Sequence, residues 1–239
     1  MSITIAIPTF RRYEKFLQFS LPKYLQIQCI KNILIGDETG EDNYKIREQD
    51  WGQDEKLQFI TNSDRLGAYN NKLNLLYRAE TDWVALIDSD NEVDEAYFAA
   101  LHAYWNQHGI NEKCVYMPSN TVKVFEGGAE LKANSNEFAG HKINSSNWNS
   151  FLQTGHEANY LVNIGNCVFH RNAVHAFPEI DTKDVMLEVK KMNKALVENG
   201  YTLVFVPNMM YKHRVHANSY YITFKDDMDL CDRTTNWFL

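Results

Sequence analysis

Cysteines are few in this 239-residue sequence and follow no recognisable pattern. The four of them, Cys29, Cys114, Cys167 and Cys231, lie far apart and include no CxxC pair. Their spacing excludes a zinc ribbon and does not indicate a disulfide framework. We therefore expect free thiols in a reducing compartment, which predicts a cytoplasmic protein.

Glycine-rich phosphate loops are also missing. The first predicted strand leads into the sequence PTFRR at residues 8–12 instead of GxGxxG, and no predicted strand is followed by GxxxxGK(S/T). These absences exclude a nicotinamide-binding Rossmann domain and a P-loop protein. A diphosphate ligand would need another partner, such as a metal ion, to neutralise its charge.

The sequence also has no long apolar run and no excess of positive charge. No stretch approaches the roughly 20 apolar residues of a membrane-spanning helix, and residues 1–8 have no basic lead-in of a signal peptide. The net charge of −7 does not favour a nucleic-acid partner. We expect no transmembrane segment, so that any membrane-anchored partner would be met at the membrane surface.

Predicted strands and helices alternate over the first ninety residues. This alternation predicts an α/β fold with a mixed, mostly parallel, Rossmann-like central sheet flanked by helices. The chain length and the hydrophobic content of 44% suit a single domain of this class. The predicted strands cover residues 3–8, 32–36, 57–61 and 83–87, and the predicted helices cover residues 13–28 and the segment after Gly67.

The second half of the sequence is less regular. Asn, Ser and Gly are frequent between residues 118 and 160, which predicts a long, partly ordered loop region that shapes a binding site. Around it we predict helices over 94–108 and 183–199 and strands over 161–170 and 201–207.

Polar residues follow three of the predicted parallel strands where each strand ends. Ligands of such sheets bind beyond the carboxyl ends of the strands, so these residues should line one crevice. They are Thr9 and Arg11 after the first strand, Asp37 and Glu38 after the second, and Asp88 and Asp90 after the fourth.

The sequence Asp88-Ser89-Asp90 directly follows the apolar run Trp83-Val84-Ala85-Leu86-Ile87. Two carboxylates with this spacing can hold Mg²⁺ or Mn²⁺ together with substrate phosphates. Asp and Ser are also common turn residues, and the same motif can end a strand before a helix that begins near Asp94. The motif alone leaves both interpretations open.

Three segments taken in order resemble one enzyme family. ITIAIPTFRR (3–12), ILIGDETGED (33–42) and NSDRLGAYNNKLNLLYRAETDWVALIDSDN (62–91) resemble the nucleotide-binding half of family-2 glycosyltransferases of the GT-A fold. The resemblance covers residues 3–92 well and implies a nucleotide-sugar-binding half (1–92) and an acceptor-binding half (93–239) of one GT-A domain. It implies transfer of a sugar from a nucleotide diphospho-sugar, by default a UDP-sugar, to a hydroxyl acceptor such as a glycan.

On the donor side, the resemblance implies a set of nucleotide-sugar-binding residues, in which Asp37 or Glu38 faces the base. The set consists of Pro8, Thr9, Arg11, Asp37, Glu38, Arg65, Gly67, Asn71, Lys72, Asp88 and Ser89. It also implies Mn²⁺ or Mg²⁺ as cofactor, held by Asp88 and Asp90 with a histidine of the segment 211–219. His216 fits the family position, and His213 is the alternative ligand.

On the acceptor side, the resemblance is fainter. Inverting members of the family use an acidic residue at the start of a late helix as general base, and Asp184 lies at that position. The family shows a Glu-Asp pair where this chain has Lys183-Asp184, and an acidic residue there is also typical of any helix start. The acceptor wall is predicted to include Trp148, Tyr160 and Asn166.

Three other functions compete with this interpretation. A haloacid-type phosphohydrolase also places DxD after an apolar strand, but after its first strand rather than its fourth. A sugar-nucleotide pyrophosphorylase would need a glycine-rich basic loop after the first strand. A nucleotide- or carbohydrate-binding module without turnover remains the non-enzymatic alternative.

Overall fold

The computed structural model of the chain describes residues 1–133, 136–155, 158, 161–162, 165–178 and 188–216. The strands are β1 (Ile3–Thr9), β2 (Ile30–Asp37), β3 (Leu57–Thr61), β4 (Trp83–Leu86), β5 (Asn91–Glu92), β6 (Cys114–Phe125), β7 (Glu130–Ala133), β8 (Lys142–Ile143), β9 (Cys167–His170) and β10 (Thr202–Val215). The helices are α1 (Gln18–Leu25), α2 (Glu41–Arg47), α3 (Gly67–Arg78), α4 (Glu95–His108), α5 (Trp148–Leu152) and α6 (Glu188–Glu198).

The strands form one sheet in the order β3-β2-β1-β4-β9-β6-β10-β5, with β7 beside β6 and β8 beside β10. β1, β2, β3 and β4 pair in parallel, and β6 and β10 form a second parallel ladder. β9 lies antiparallel between β4 and β6. The predicted α/β fold with a mostly parallel central sheet in a single domain is confirmed, and the carboxyl ends of β1, β2 and β4 lie at one edge.

The central strands are apolar because both of their faces are covered. In β1, Ile3, Ile5 and Ile7 are at most 1% exposed, and all four residues of β4 are buried. Strands in such a position carry continuous rather than alternating apolar residues. This is why the apolar runs of the sequence located β1 and β4 correctly.

The helix predicted over residues 94–108 is α4, and its limits have local causes. The Asp94 side chain accepts a hydrogen bond from the Tyr97 backbone N–H (3.2 Å), and Gly109 ends the helix with a φ of 77°. The helix predicted over 13–28 is instead a π-helical turn (Tyr13–Leu17) followed by α1, which contains Pro22. Within the described ranges, no helix has the length and apolar character needed to cross a bilayer.

The prediction of a loop over residues 118–160 is wrong for β6 and β7. Ser119 and Thr121 are at most 2% exposed because β6 lies between β9 and β10, so polar side chains are buried in a strand. The strand predicted over 161–170 begins only at Cys167, and β10 extends past the predicted 201–207 to Val215. The predicted helix 183–199 corresponds to α6, and residues 183–187 lie outside the described residues.

Candidate active site

The ends of β1 and β2 lie side by side. Thr9 is the register partner of Asp37, and the Glu38 backbone N–H donates to the Thr9 carbonyl at 3.1 Å. β4 lies on the other side of β1 and leads into Asp88. The structure therefore brings the polar ends of these three strands together, as their parallel order requires.

Asp37 is fully buried, and both of its carboxylate oxygens accept hydrogen bonds from its own turn. Its Oδ1 accepts from the Thr39 backbone N–H (3.0 Å), and its Oδ2 accepts from the Asn43 backbone N–H (2.9 Å). These bonds fix the start of α2 against the end of β2. Asp37 thus shapes the turn, and each of its oxygens already accepts a backbone hydrogen bond there.

Thr9 is held in the same way by a second buried carboxylate. Its hydroxyl donates to Asp42 Oδ2 at 2.5 Å, and the backbone N–H groups of Arg12 and Tyr13 donate to the same carboxylate at 3.0 Å. Asp42 is 1% exposed. It therefore anchors the loop that follows β1, a role that the sequence analysis did not assign.

Glu38 is the acidic residue of this edge with unused hydrogen-bonding capacity. Its Oε2 accepts from the backbone N–H groups of Leu66 (2.8 Å) and Gly67 (3.2 Å), whereas its Oε1 is buried without a partner among the described residues. Burial raises the pKa of Glu38, although the two backbone donors oppose this shift. An oriented acceptor oxygen without a partner is suited to a ligand N–H donor.

Phe10 is an aromatic residue that the sequence analysis did not single out. It is 40% exposed, and the guanidinium carbons of Arg11 and Arg65 lie 5.4 Å and 5.3 Å from its ring centroid. Arg11 has a φ of 55°, and its guanidinium pairs with Glu41 at 2.8 Å. An exposed ring between two cationic groups is suited to stacking on a planar base. The signal in the sequence was an aromatic residue directly after a strand.

Asn71 joins α3 to the sheet. Its Nδ2 donates to the Gly36 carbonyl at 2.7 Å, and its Oδ1 accepts from Asn62 Nδ2 at 3.1 Å. A Cβ atom on Gly36 would lie only 2.5 Å from Asn71 Oδ1, so this position requires glycine. Asn71 is 1% exposed, and its amide fixes α3 rather than facing the crevice.

Lys72 lies between two carboxylates from opposite halves of the chain. Its Nζ lies 2.9 Å from Asp88 Oδ1 and 3.2 Å from Glu188 Oε1, and its side chain is 3% exposed. Burial alone would lower the pKa of Lys72, but the two carboxylates together raise it above its usual value. The lysine is therefore charged, and it connects the end of β4 with the first turn of α6.

The segment before β9 packs against Asp88 and hydrogen-bonds to its backbone. Its backbone N–H donates to Asn166 Oδ1 at 3.1 Å, and the Asn166 carbonyl accepts from the Tyr97 hydroxyl at 2.8 Å. A Cβ atom on Gly165 would lie 3.1 Å from Asp88 Oδ2. Asn166 is 1% exposed, so the structure places it under the Asp88 turn and not on an open acceptor wall.

Asp90 is next to a histidine that is 126 residues away in the sequence. Its Oδ2 lies 3.1 Å from His216 Nε2, whereas His213 Nδ1 contacts Asn91 Oδ1 at 3.1 Å. Burial would raise the pKa of Asp90, but the His216 hydrogen bond and the charge of Arg12 lower it below its usual value. Of the two histidines considered in the sequence, the structure brings His216 to Asp90.

The pair of Asp90 and His216 fits a metal ion that a substrate helps to hold. His216 is 4% exposed, and its Nδ1 is buried without a partner among the described residues. In the part of the chain that the structure describes, no group of three or more His, Cys, Asp or Glu side chains has the arrangement needed to hold a metal ion by itself. One carboxylate and one imidazole suffice where phosphate oxygens and water complete the coordination shell, as is usual for Mg²⁺.

One predicted residue, Trp148, does not reach this edge, and two others lie outside the described residues. Trp148 is 6% exposed and packs in the hydrophobic core, so neither face of its indole is open to a sugar. Asp184 and Tyr160 lie outside the described residues, and their roles as general base and acceptor contact stay predictions.

Comparison with known proteins identifies the fold and the family. Staphylococcus aureus TarS (residues 1–349) in complex with UDP-GlcNAc matches with a TM-score of 0.66 and 13% identity over 92% of this chain and 60% of that chain. GalNAc-T7 with UDP, GalNAc and Mn²⁺ matches with a TM-score of 0.66 and 12% identity over 90% of this chain and 44% of that chain. The chain thus spans less than two thirds of either structure, and at these identities the similarity shows the fold alone.

The sequence comparisons are more specific. No curated protein sequence matches the chain at a significant level. The predicted resemblance is confirmed by a match to the family model of glycosyl transferase family 2, which covers residues 4–169 and thus more than half of the chain. The chain therefore belongs to glycosyl transferase family 2.

Proposed function

We propose that the chain is a metal-dependent glycosyltransferase that moves a sugar from a nucleotide diphospho-sugar to a hydroxyl acceptor such as a glycan. The observation that carries the proposal is the approach of His216 to Asp90 at 3.1 Å, beyond the carboxyl end of β4. UDP-sugars are the donor class we favour, because TarS has been crystallised with UDP-GlcNAc and with UDP, and GalNAc-T7 with UDP, GalNAc and Mn²⁺.

Phe10 and Glu38 supply the base pocket in this proposal. The exposed Phe10 ring stacks on the base, with Thr9 and Arg65 beside it. The free Oε1 of Glu38 accepts the imide N–H of uracil, which is the one donor on the Watson–Crick edge of that base. Of the two acidic residues considered in the sequence, we assign the base contact to Glu38, because both Asp37 oxygens are occupied by the turn.

The diphosphate lies over the Asp88-Ser89-Asp90 turn. Asp88, Asp90 and Glu188 place three carboxylates there, and Lys72 is already paired with two of them. A diphosphate alone would be repelled by this excess of negative charge. Asp90 and His216 would hold Mn²⁺ or Mg²⁺, which when bound neutralises charge on the leaving diphosphate. Asp88 then orients the ribose or the water around the metal.

Asp184 is the proposed general base. It takes the proton of the acceptor hydroxyl while the hydroxyl oxygen bonds to the anomeric carbon and the bond from that carbon to the diphosphate oxygen breaks. Direct displacement of this kind inverts the anomeric configuration. The role of Asp184 rests on the family resemblance. Tyr160 remains a proposed acceptor contact because it lies in the Asn- and aromatic-rich region 118–160.

The experiment that tests the function is a measurement of UDP release. The protein is incubated with UDP-GlcNAc, UDP-glucose or UDP-GalNAc, with Mn²⁺ or with EDTA, and with or without a mixture of glycan acceptors. We expect UDP release from one donor that requires Mn²⁺ and increases with acceptor. Metal-dependent binding without release under any condition would instead establish a binding module. Release of inorganic phosphate from simple phosphate esters would indicate a phosphohydrolase.

A substitution of Glu38 by glutamine tests the base pocket. The amide keeps an oxygen for the N–H groups of Leu66 and Gly67 but turns the free acceptor into a donor. We expect UDP affinity to fall about 10- to 100-fold, because the imide N–H then meets a donor. CDP affinity should rise, since N3 of cytosine is an acceptor. Calorimetric titration with both nucleotides in Mn²⁺ measures the change.

The matched control for this substitution is Glu48→Gln. Glu48 is exposed at the end of α2, so the same chemical change should leave both affinities within about twofold of wild type. If Glu38→Gln binds UDP as tightly as wild type does, Glu38 does not contact the base.

A further inference from the structure

The residues after the Asp88-Ser89-Asp90 turn are attached to the end of β10. β5 pairs antiparallel with β10, with Asn91 opposite His213 and Glu92 opposite Lys212. The Asn91 side chain also contacts the His213 ring at 3.1 Å. We call the contacts of Asn91 and Glu92 with His213 and Arg214 the β5–β10 clamp.

Glu92 provides the charged contact of the β5–β10 clamp. It is 7% exposed, and its Oε1 lies 2.6 Å from Lys23 Nζ on α1, while its Oε2 lies 2.5 Å from Arg214 Nη2 on β10. The buried Glu92 side chain thus contacts one cation on α1 and one on β10, and the second contact fixes Arg214 to the turn region.

Arg214 and His216 also contact the same aromatic ring. The Arg214 guanidinium carbon lies 5.5 Å from the Phe16 centroid, and the centroids of the His216 and Phe16 rings lie 5.0 Å apart. Phe16 is 6% exposed. Because Arg214 is two residues before His216 and both pack on one ring, a displacement of Arg214 would displace His216.

We propose that Glu92 is a positioning residue for the metal-binding pair: by holding Arg214 it keeps His216 next to Asp90 before any metal binds. The inference rests on the proposed function, since it assumes that Asp90 and His216 hold a metal. No ligand has to contact Glu92 for this effect. Residues that orient metal ligands commonly change metal affinity about 10- to 100-fold when they are replaced.

The two partners of Glu92 provide a matched pair of variants. Lys23 comes from α1 and is half-exposed, so Lys23→Met leaves the link from Glu92 to β10 intact. Arg214→Met removes that link but leaves Glu92 paired with Lys23, so that the buried carboxylate keeps a cation. Glu92→Gln weakens both contacts. Lys23 is more exposed than Arg214, so a general contribution to stability would also affect the arginine variant more, but it would raise exchange throughout the sheet. The positioning role raises exchange at the end of β10 and changes the Mn²⁺ requirement.

The first readout is hydrogen–deuterium exchange of the metal-free protein. We expect the amides of residues 209–216 to exchange at least about tenfold faster in Glu92→Gln and Arg214→Met, with little change in Lys23→Met. The second readout is calorimetric titration with UDP at increasing Mn²⁺. The Mn²⁺ concentration for half-maximal UDP binding should rise about tenfold or more in the first two variants only, while the residual UDP affinity in EDTA stays at the wild-type value.

Several outcomes would overturn the proposal. If Lys23→Met and Arg214→Met change exchange and the Mn²⁺ requirement equally, or if neither variant changes them, Glu92 contributes only to the fold. If Glu92→Gln fails to fold, the comparison of Arg214→Met with Lys23→Met alone decides whether Glu92 is a positioning residue. If wild type itself binds UDP without any dependence on Mn²⁺, the metal site fails and the positioning role fails with it. If wild type requires Mn²⁺ for UDP binding and the variants behave like wild type, only the role of Glu92 is refuted.

Discussion

Asp90→Ala should abolish Mn²⁺-dependent UDP binding and lower the rate of UDP release from a UDP-sugar at least about a thousandfold. Asp90 is the carboxylate of the turn that has no lysine partner, and its pKa is lowered by His216 and Arg12, so it offers a charged oxygen to a cation. A metal neutralising a leaving group contributes several kcal/mol to the transition state, and about 4 kcal/mol corresponds to this loss of rate. Calorimetry and an assay for released UDP, both with Mn²⁺ and with EDTA, measure the two effects.

Asp94→Ala is the control for this substitution. Asp94 lies four residues away and caps α4 through the Tyr97 N–H, so its loss should cost about 1 kcal/mol of unfolding free energy. The Mn²⁺ dependence of UDP binding should not change. If Asp90→Ala behaves like Asp94→Ala, the Asp88-Ser89-Asp90 motif is only the turn before α4, which was the simpler interpretation of the sequence.

Lys72→Met should be the most destabilising single change at this edge. It leaves Asp88 and Glu188, whose side chains are 28% and 16% exposed, close together without the buried cation that lies 2.9 Å and 3.2 Å from them. Removal of one partner from a buried ion pair typically costs about 3–5 kcal/mol, and because these two carboxylates are partly exposed we expect a cost toward the lower end of that range. Urea denaturation gives the free energy of unfolding. We also expect UDP release to be lost, since Asp88 would no longer be fixed.

A double substitution separates charge repulsion from loss of packing. In Lys72→Met/Glu188→Gln, one of the two carboxylates is neutral, so the double variant should be more stable than Lys72→Met. Lys194→Met is the matched control, because Lys194 pairs at 3.7 Å with Glu198, whose side chain is 61% exposed, and the loss of this pair should cost less than about 0.5 kcal/mol. If Lys72→Met unfolds at the same urea concentration as Lys194→Met, the buried ion pairs do not hold the two halves together.

The meeting of the polar strand ends could be predicted from the sequence because its signals are local. β1, β2 and β4 are apolar runs that end abruptly in polar residues, and the order of parallel strands dictates that these ends meet. The roles of neighbouring residues could not be assigned in this way. Asp37 and Glu38 are adjacent and chemically similar, and they differ only in which backbone N–H groups their carboxylates accept. That difference depends on the turn into α2 and on the start of α3, which no spacing rule specifies.

The second half was harder to predict because its contacts are long-range. β6 contains Pro118, Ser119 and Asn120, which interrupt an apolar pattern, yet it is a central strand between β9 and β10. The position of Asn166 under Asp88 likewise depends on β9 joining the sheet beside β4. In the sequence, His216 fits the family position and His213 is the alternative. The structure separates them, because His213 pairs with Asn91 whereas His216 lies 3.1 Å from Asp90.

The position of β9 has a consequence for how such a chain can be divided. β4 leads into the turn that we propose binds the donor, but one of its two neighbours is β9, which comes from the other half of the sequence. A fragment that stops at residue 92 would expose the apolar edge of Trp83–Leu86, and an open edge of that kind invites aggregation. The residues proposed to bind the donor therefore cannot be moved to another protein as a separate segment. To change the donor by engineering, the pocket has to be altered residue by residue within the intact sheet, because exchange of the first ninety residues would also remove the strand pairing that holds them.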